Sequence, residues 1–319
     1  MTRILARLSF LLGVMLLLGG QIFVPTVPFF LTTSCTSYTG PGDVVSGAAG
    51  WWGLRAYSCA LAHSGASTTP VIDVRGSTTG TSCTIYLLGD GTGGIDLTTA
   101  GSGGTGNQCL LGATTFCSST NTNCTVSKIY DQSGNGITLS QSTTANQPTL
   151  TISCVSSLPC MTFNGTSTGL LTSGNVTIAN PSTLIGVGER TGHTTSYQLI
   201  FGWNTQNPGI GWPNSANKVL YAPCSGNCNI TPAGNDNVWY AMVGSSTTTP
   251  SNSNIIYYNG SSGSNSSAPT GATGVIAIGS GRSDYVDGPV TEASFYSGTA
   301  FSSTQASNMI SNIRTYWGF

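Results

Sequence analysis

Ile129-Tyr130-Asp131-Gln132-Ser133-Gly134-Asn135-Gly136 is the stretch whose reading decides the fold. A β-type run (Thr125, Val126, Ile129, Tyr130) ends here in a polar, glycine-spaced turn. Asp131 and Ser133 can fold their side chains back onto nearby backbone amides. Gly134, Asn135 and Gly136 tolerate the positive φ that a tight reversal needs. As residues alone they predict a structural turn, with the Asp131 carboxylate accepting backbone hydrogen bonds within 132–136.

Short β runs separated by turn residues continue on both sides. Val71–Arg75 alternates. Thr149–Ile152 and Cys160–Phe163 flank a small loop. Leu184–Val187, Gln198–Trp203, Lys218–Ala222, Val238–Val243, Val275–Ile278 and Val290–Tyr296 follow. Ile255–Tyr258 runs into Asn259-Gly260, a strong hairpin signal. Regular short strands with little helix predict an all-β antiparallel sandwich. Two helices are expected. One spans 53–62, with Leu54, Tyr57 and Leu61 on one face. The other spans 304–316, capped by Ser302 or Ser303, with Ala306, Met309, Ile310 and Ile313 as its apolar stripe. The Ser/Thr/Gly clusters at 99–106, 244–253 and 260–274 read as surface loops.

Residues 1–34 read as a targeting segment ahead of a single domain at 35–319. Arg3 and Arg7 precede an apolar run from Leu8. This is the pattern of a cleaved signal peptide. Its length also suits a retained membrane anchor, although Pro25 and Pro28 interrupt it. All ten cysteines follow it. An even count behind an export signal predicts disulfides and a secreted, periplasmic or cell-surface location. Close spacing pairs Cys117 with Cys124, Cys154 with Cys160, and Cys224 with Cys228. Cys35, Cys59, Cys83 and Cys109 are left with open pairing. Cys224 and Cys228 could form half a zinc site, but neither His63 nor His193 is spaced to complete it, so no metal and no cofactor is expected. Only 6% of residues are charged and the formal net charge is −1, which argues against a nucleic-acid partner. Contact with a membrane is expected only through the leader.

The octapeptide resembles a segment of the catalytic domain of arabinofuranosidase B, glycoside hydrolase family 54. The likeness runs over residues 40–150. Gly40-Pro41-Gly42-Asp43-Val44 resembles the family's opening Gly-Pro-Cys-Asp-Ile, with Gly42 in place of cysteine. Val71–Arg75 resembles its first strand, and Phe116-Cys117 through Cys124 its cysteine-closed loop. Near the end, Ile278-Gly279, Asp287–Tyr296 and the closing helix resemble the last strands of concanavalin A-like sandwiches. Together these resemblances imply a concanavalin A-like jelly-roll.

Retaining glycoside hydrolysis needs two carboxyl groups about 5–5.5 Å apart. The stretch matching the family's nucleophile, Phe201–Gln206, carries no carboxylate. The position matching its acid is followed by Arg282, with Asp284 close by. The adjacent cysteines of the family's pocket are missing. Glu189 and Asp284, both at expected strand ends, remain the candidate catalytic pair. Glu292, inside a strand where the family also has a glutamate, is read as structural. Sugar binding asks only for an aromatic face to stack on the ring and Asn, Asp or Gln side chains for its hydroxyls. Trp203, Asn204, Trp212, Trp239 and Tyr240 are the candidates, with Trp51-Trp52 as a further platform. The leading expectation is an exported carbohydrate-binding or surface-structural sandwich that resembles an arabinofuranosidase but lacks its carboxylates. An active α-L-arabinofuranosidase and a self-assembling subunit of a surface or viral structure are the alternatives.

Overall fold

The computed structural model describes residues 37–64, 68–76, 82–97, 117, 124–192, 197–204, 208–214, 217–223, 229–248, 253–281 and 284–319. The 1–34 leader, the 99–106 loop and the Cys224–Cys228 pair lie outside them.

The domain is an all-β sandwich. One layer runs Gly50–Gly53, Asp287–Ser297, Ser182–Glu189, Trp239–Thr247, Ser253–Tyr258 and Ser261–Asn265, antiparallel throughout. The facing layer runs Ser82–Tyr86, Pro70–Gly76, Cys124–Ile129, Leu139–Ser140, Leu170–Thr172, Ile276–Ile278, Gln198–Trp203, Gly209–Trp212 and Leu220–Ala222. The hairpin Thr149–Val155/Leu158–Asn164 joins them at one side.

Aromatic side chains fill the space between the layers. Trp52 and Phe295 from the first meet Phe201 and Trp203 from the second, with ring centroids 5.6–6.2 Å apart. Burying a ring of this size contributes on the order of 3 kcal/mol. Glycines thin the facing surface where the layers come closest. A Cβ on Gly186 would stand 3.1 Å from Ile200 and Ile210, and one on Gly244 would overlap the Tyr221 ring.

The expected Cys117–Cys124 and Cys154–Cys160 disulfides are present, and Cys59 and Cys83 are also disulfide-bonded. The C-terminal helix spans Ser303–Trp317, with Ser302 and Gln305 forming its capping box. The Asn259-Gly260 hairpin turn forms as expected, both residues at positive φ.

Three sequence expectations fail. The helix at 53–62 is only Cys59–Ser64. Long-range bonds hold the rest extended or bent: Leu54 N to Thr291 O, Ala56 N to Gly93 O, and Tyr57 N to the Gln132 amide oxygen. Trp51 and Trp52 form no surface platform. They sit on a strand and are wholly buried. The supposed loops at 244–253 and 260–274 also carry strand, because their serines and glycines still complete backbone ladders.

The octapeptide is spent on holding the 48–57 segment. Asp131 accepts from Trp51 N (3.0 Å), Ser133 N (2.8 Å) and Ile137 N (3.2 Å). Gln132 donates to Gly53 O and accepts from Tyr57 N. The Asn135 amide donates to Ala48 O and Ala49 O. The bonds of Asp131 therefore reach beyond the local turn. We expect Asp131→Ala to cost about 2–3 kcal/mol in denaturant unfolding, since it strands several amide donors at once. A loss under about 0.5 kcal/mol would contradict this role.

Candidate functional site

Most acidic side chains are committed to structure. Asp43 accepts from Gly40 N and Cys59 N, which ties the 40–44 turn to the start of the Cys59–Ser64 helix. A Cβ at neighbouring Gly42 would stand 2.5 Å from the Tyr57 ring, which leaves no room there for a cysteine. Asp73 pairs with Lys128 at 3.0 Å and accepts from Thr84 and the Tyr130 hydroxyl. Asp236 pairs with buried Arg190, which also donates to Pro213 O. Arg190 therefore turns away from its chain neighbour Glu189. Glu292 is wholly buried and pairs with Arg55.

Glu189 ends the Ser182–Glu189 strand, directly opposite Trp239 on the neighbouring strand. It has no hydrogen-bond or ion-pair partner among the described residues. Its carboxyl is raised above the ordinary value by burial alone, with no push from a second carboxylate. Asp284 stands in a two-residue strand paired with Ser280–Gly281, over the start of the Gln198–Trp203 strand. Asn204 stands just past that strand's other end, about 16 Å along it. The described residues nearest those two matched positions, Asn204 and Asp284, are thus at opposite ends of one strand. Thr205, Gln206 and Arg282 themselves lie outside the described residues.

The expected sugar-binding aromatics separate into two groups. Trp203 and Trp212 are wholly buried in the core, and the Trp203 indole donates to Val176 O at 3.0 Å. Neither can stack on a sugar arriving from solvent. Their strands face the opposite layer, so these large apolar faces fill the sandwich instead. Half-buried Asn204 sits beside Val275, away from the others. Trp239 and Tyr240 do reach a common rim. Trp239 packs against Phe319 with the rings tilted and their centroids 5.7 Å apart. Tyr240 faces the other side, toward Tyr258 at 6.1 Å.

Beside Tyr240 lies a concavity of about 350 Å³, lined by Asn235, Val238, Tyr240, Tyr258, Asn259 and Ser261. The Tyr240 hydroxyl accepts from Asn235 N at 2.6 Å, fixing the loop that forms one wall. Asn259 forms the other wall. Its side chain accepts from Ala241 N and donates to Trp239 O. Val238 is the one large apolar side chain exposed among the described residues. The lining is aromatic edge, amide and hydroxyl. It holds no Asp or Glu, and neither do the two larger grooves flanking the C-terminal helix. Asn235, Tyr258 and Asn259 were not singled out from sequence. The Asn-Gly hairpin tip was readable, but nothing local showed that the 229–238 loop would close against it.

Glu189 gives a test through pH. Its folded carboxyl holds the proton more tightly than the unfolded chain does. Its contribution to stability is therefore full below the ordinary value of 4.5 and is lost as pH rises through the folded value. Glu189→Gln carries no such loss. We expect thermal melts of the variant to gain on wild type between pH 4 and pH 7 and to match it in acid. A variant that loses ground as pH rises would show a stabilising partner for the carboxylate.

No family model matches the chain, and no curated protein matches it. Among solved structures it is similar to a mutant GH54 α-L-arabinofuranosidase soaked with 4-nitrophenyl α-L-arabinofuranoside, with 15% identity and a TM-score of 0.56. It is also similar to an arabinofuranosidase complexed with arabinofuranosyl-α-1,2-xylobiose, with 15% identity and a TM-score of 0.54. Each match covers 86% of this chain and 65% of the other, so the chain spans about two thirds of those enzymes' length. At this identity the likeness is one of fold: the chain has the sandwich of the family 54 arabinofuranosidases.

Proposed function

We propose that this protein is an exported carbohydrate-binding sandwich that holds an arabinose-containing or related glycan without hydrolysing it. The observation that carries the reading is the concavity at Tyr240 and Tyr258. It offers amide and hydroxyl groups to a sugar's hydroxyls beside the edges of Tyr240 and Tyr258, whose rings are themselves buried, and no Asp or Glu lines it. Double displacement needs an anionic nucleophile and a proton donor facing each other across the glycosidic bond. Glu189 stands alone on its strand end, and Asp284 belongs to a different hairpin. The fold shared with arabinofuranosidases favours a sugar ligand. The disulfides fit an oxidising compartment. A self-assembling subunit would call for a broad apolar face. The described surface offers the isolated Val238 instead.

The test pairs binding with turnover. Arabinofuranosyl oligosaccharides titrated calorimetrically into the full chain should bind. Asn235→Ala, on the exposed wall, should weaken that binding severalfold at unchanged melting temperature. A chromogenic arabinofuranoside should not be turned over. Turnover abolished by Glu189→Gln would replace this reading with a hydrolase. Failure of every oligosaccharide to bind would remove the carbohydrate reading.

A further inference from the structure

We propose that a second groove, on the opposite face of the same hairpin tip, extends the ligand site so that the protein grips an internal stretch of a neutral glycan chain. This rests on the carbohydrate reading above. The groove, about 490 Å³, lies between the Ser303–Trp317 helix and the Ser253–Tyr258/Ser261–Asn265 hairpin. That volume is within the usual range for small-molecule sites.

Its lining suits a polyol. Tyr257 contributes a half-buried ring. Ser261 and Ser262 of the hairpin and Ser307 of the helix contribute exposed hydroxyls. Arg314 donates its Nε–H to Phe319 O at 2.9 Å, which anchors the guanidinium at the groove and leaves its other N–H donors for a ligand. No Asp or Glu side chain lines it.

The groove and the first concavity belong to one path. Successive strand residues point to opposite faces. Tyr258 therefore faces Tyr240 and the interlayer concavity, while Tyr257 faces the helix. Ser261 lines both hollows. Between them Gly260 sits at φ 89°, and a Cβ added there would meet nothing within 4 Å, so the crossing over the tip is open. Tyr257 and Tyr258 thus stand on opposite faces of one sheet. One sugar ring cannot lie against both Tyr257 and Tyr258, whereas a chain laid over the tip can reach the two hollows.

The experiment is a calorimetric ladder of arabino-oligosaccharides, from disaccharide to hexasaccharide, on the full chain. Wild-type affinity should rise with length. Tyr257→Ala should weaken the hexasaccharide roughly tenfold and leave the disaccharide unchanged. Ser307→Trp, on the exposed helix face, should fill the groove without touching the core and act the same way, which keeps the test valid if Tyr257→Ala fails to fold. Affinity independent of length, or a hexasaccharide bound by Ser307→Trp as by wild type, overturns the proposal while leaving the first site standing. Absence of binding at every length overturns both.

Discussion

The structure turns on one buried ion pair. Arg55 and Glu292 are each wholly removed from solvent. Arg55 donates to both Glu292 oxygens, the Trp317 indole donates to Glu292 as well, and the Arg55 guanidinium lies 4.8 Å from the centre of the Tyr316 ring. Withdrawing two charges from water costs several kcal/mol per ion; Arg55 Nε and Nη2 offset it by bonding Glu292, while Nη1 is buried without a partner among the described residues. Burial is the largest single influence and opposes the charge on Arg55, but Glu292, Tyr38 and Tyr316 together outweigh it and hold the guanidinium above its ordinary value. Burial in the same place pushes the Tyr316 hydroxyl up to about 12. The consequence is cooperative. The segment after Gly50–Gly53, the Asp287–Ser297 strand and the C-terminal helix must arrive together, because each alone would leave a charge or donor stranded.

The octapeptide makes the second tie, from the other side of the same segment. Asp131, Gln132 and Asn135 bind the backbone of residues 48–57, which places Arg55 for Glu292. With so few charged residues in the chain, this use leaves little for chemistry. Asp43, Asp73, Asp131, Asp236 and Glu292 are all engaged in structure. What faces solvent at the hairpin tip is half-buried Tyr257, asparagine and serine. That composition suits recognition of hydroxyl-rich ligands better than proton transfer.

The strands of the sandwich were legible because period-two alternation and Asn-Gly turns are local signals. The closing helix was legible from its Ser302 cap and apolar stripe. The segment 53–58 was not, because its helical spacing is overridden by bonds to residues 93, 132 and 291, far along the chain. Arg55 looked like an ordinary helix residue, since its partner is 237 positions away. Trp203 and Trp212 could be either platform or core from sequence, and only the facing layer decides. Trp239 and Tyr240 were candidates for one sugar site, but alternation sends them to opposite sides of their strand. The residues that complete the hollow come from a loop with no periodic pattern.

The most direct measurement of the central constraint is a double-substitution cycle by denaturant unfolding. Glu292→Gln alone, which leaves Arg55 charged and unpaired, should lose about 3–5 kcal/mol. Combining it with Arg55→Met should recover much of that loss, because the stranded charge is removed together with its partner. A single substitution that costs under about 1 kcal/mol, or two losses that simply add, would contradict the account.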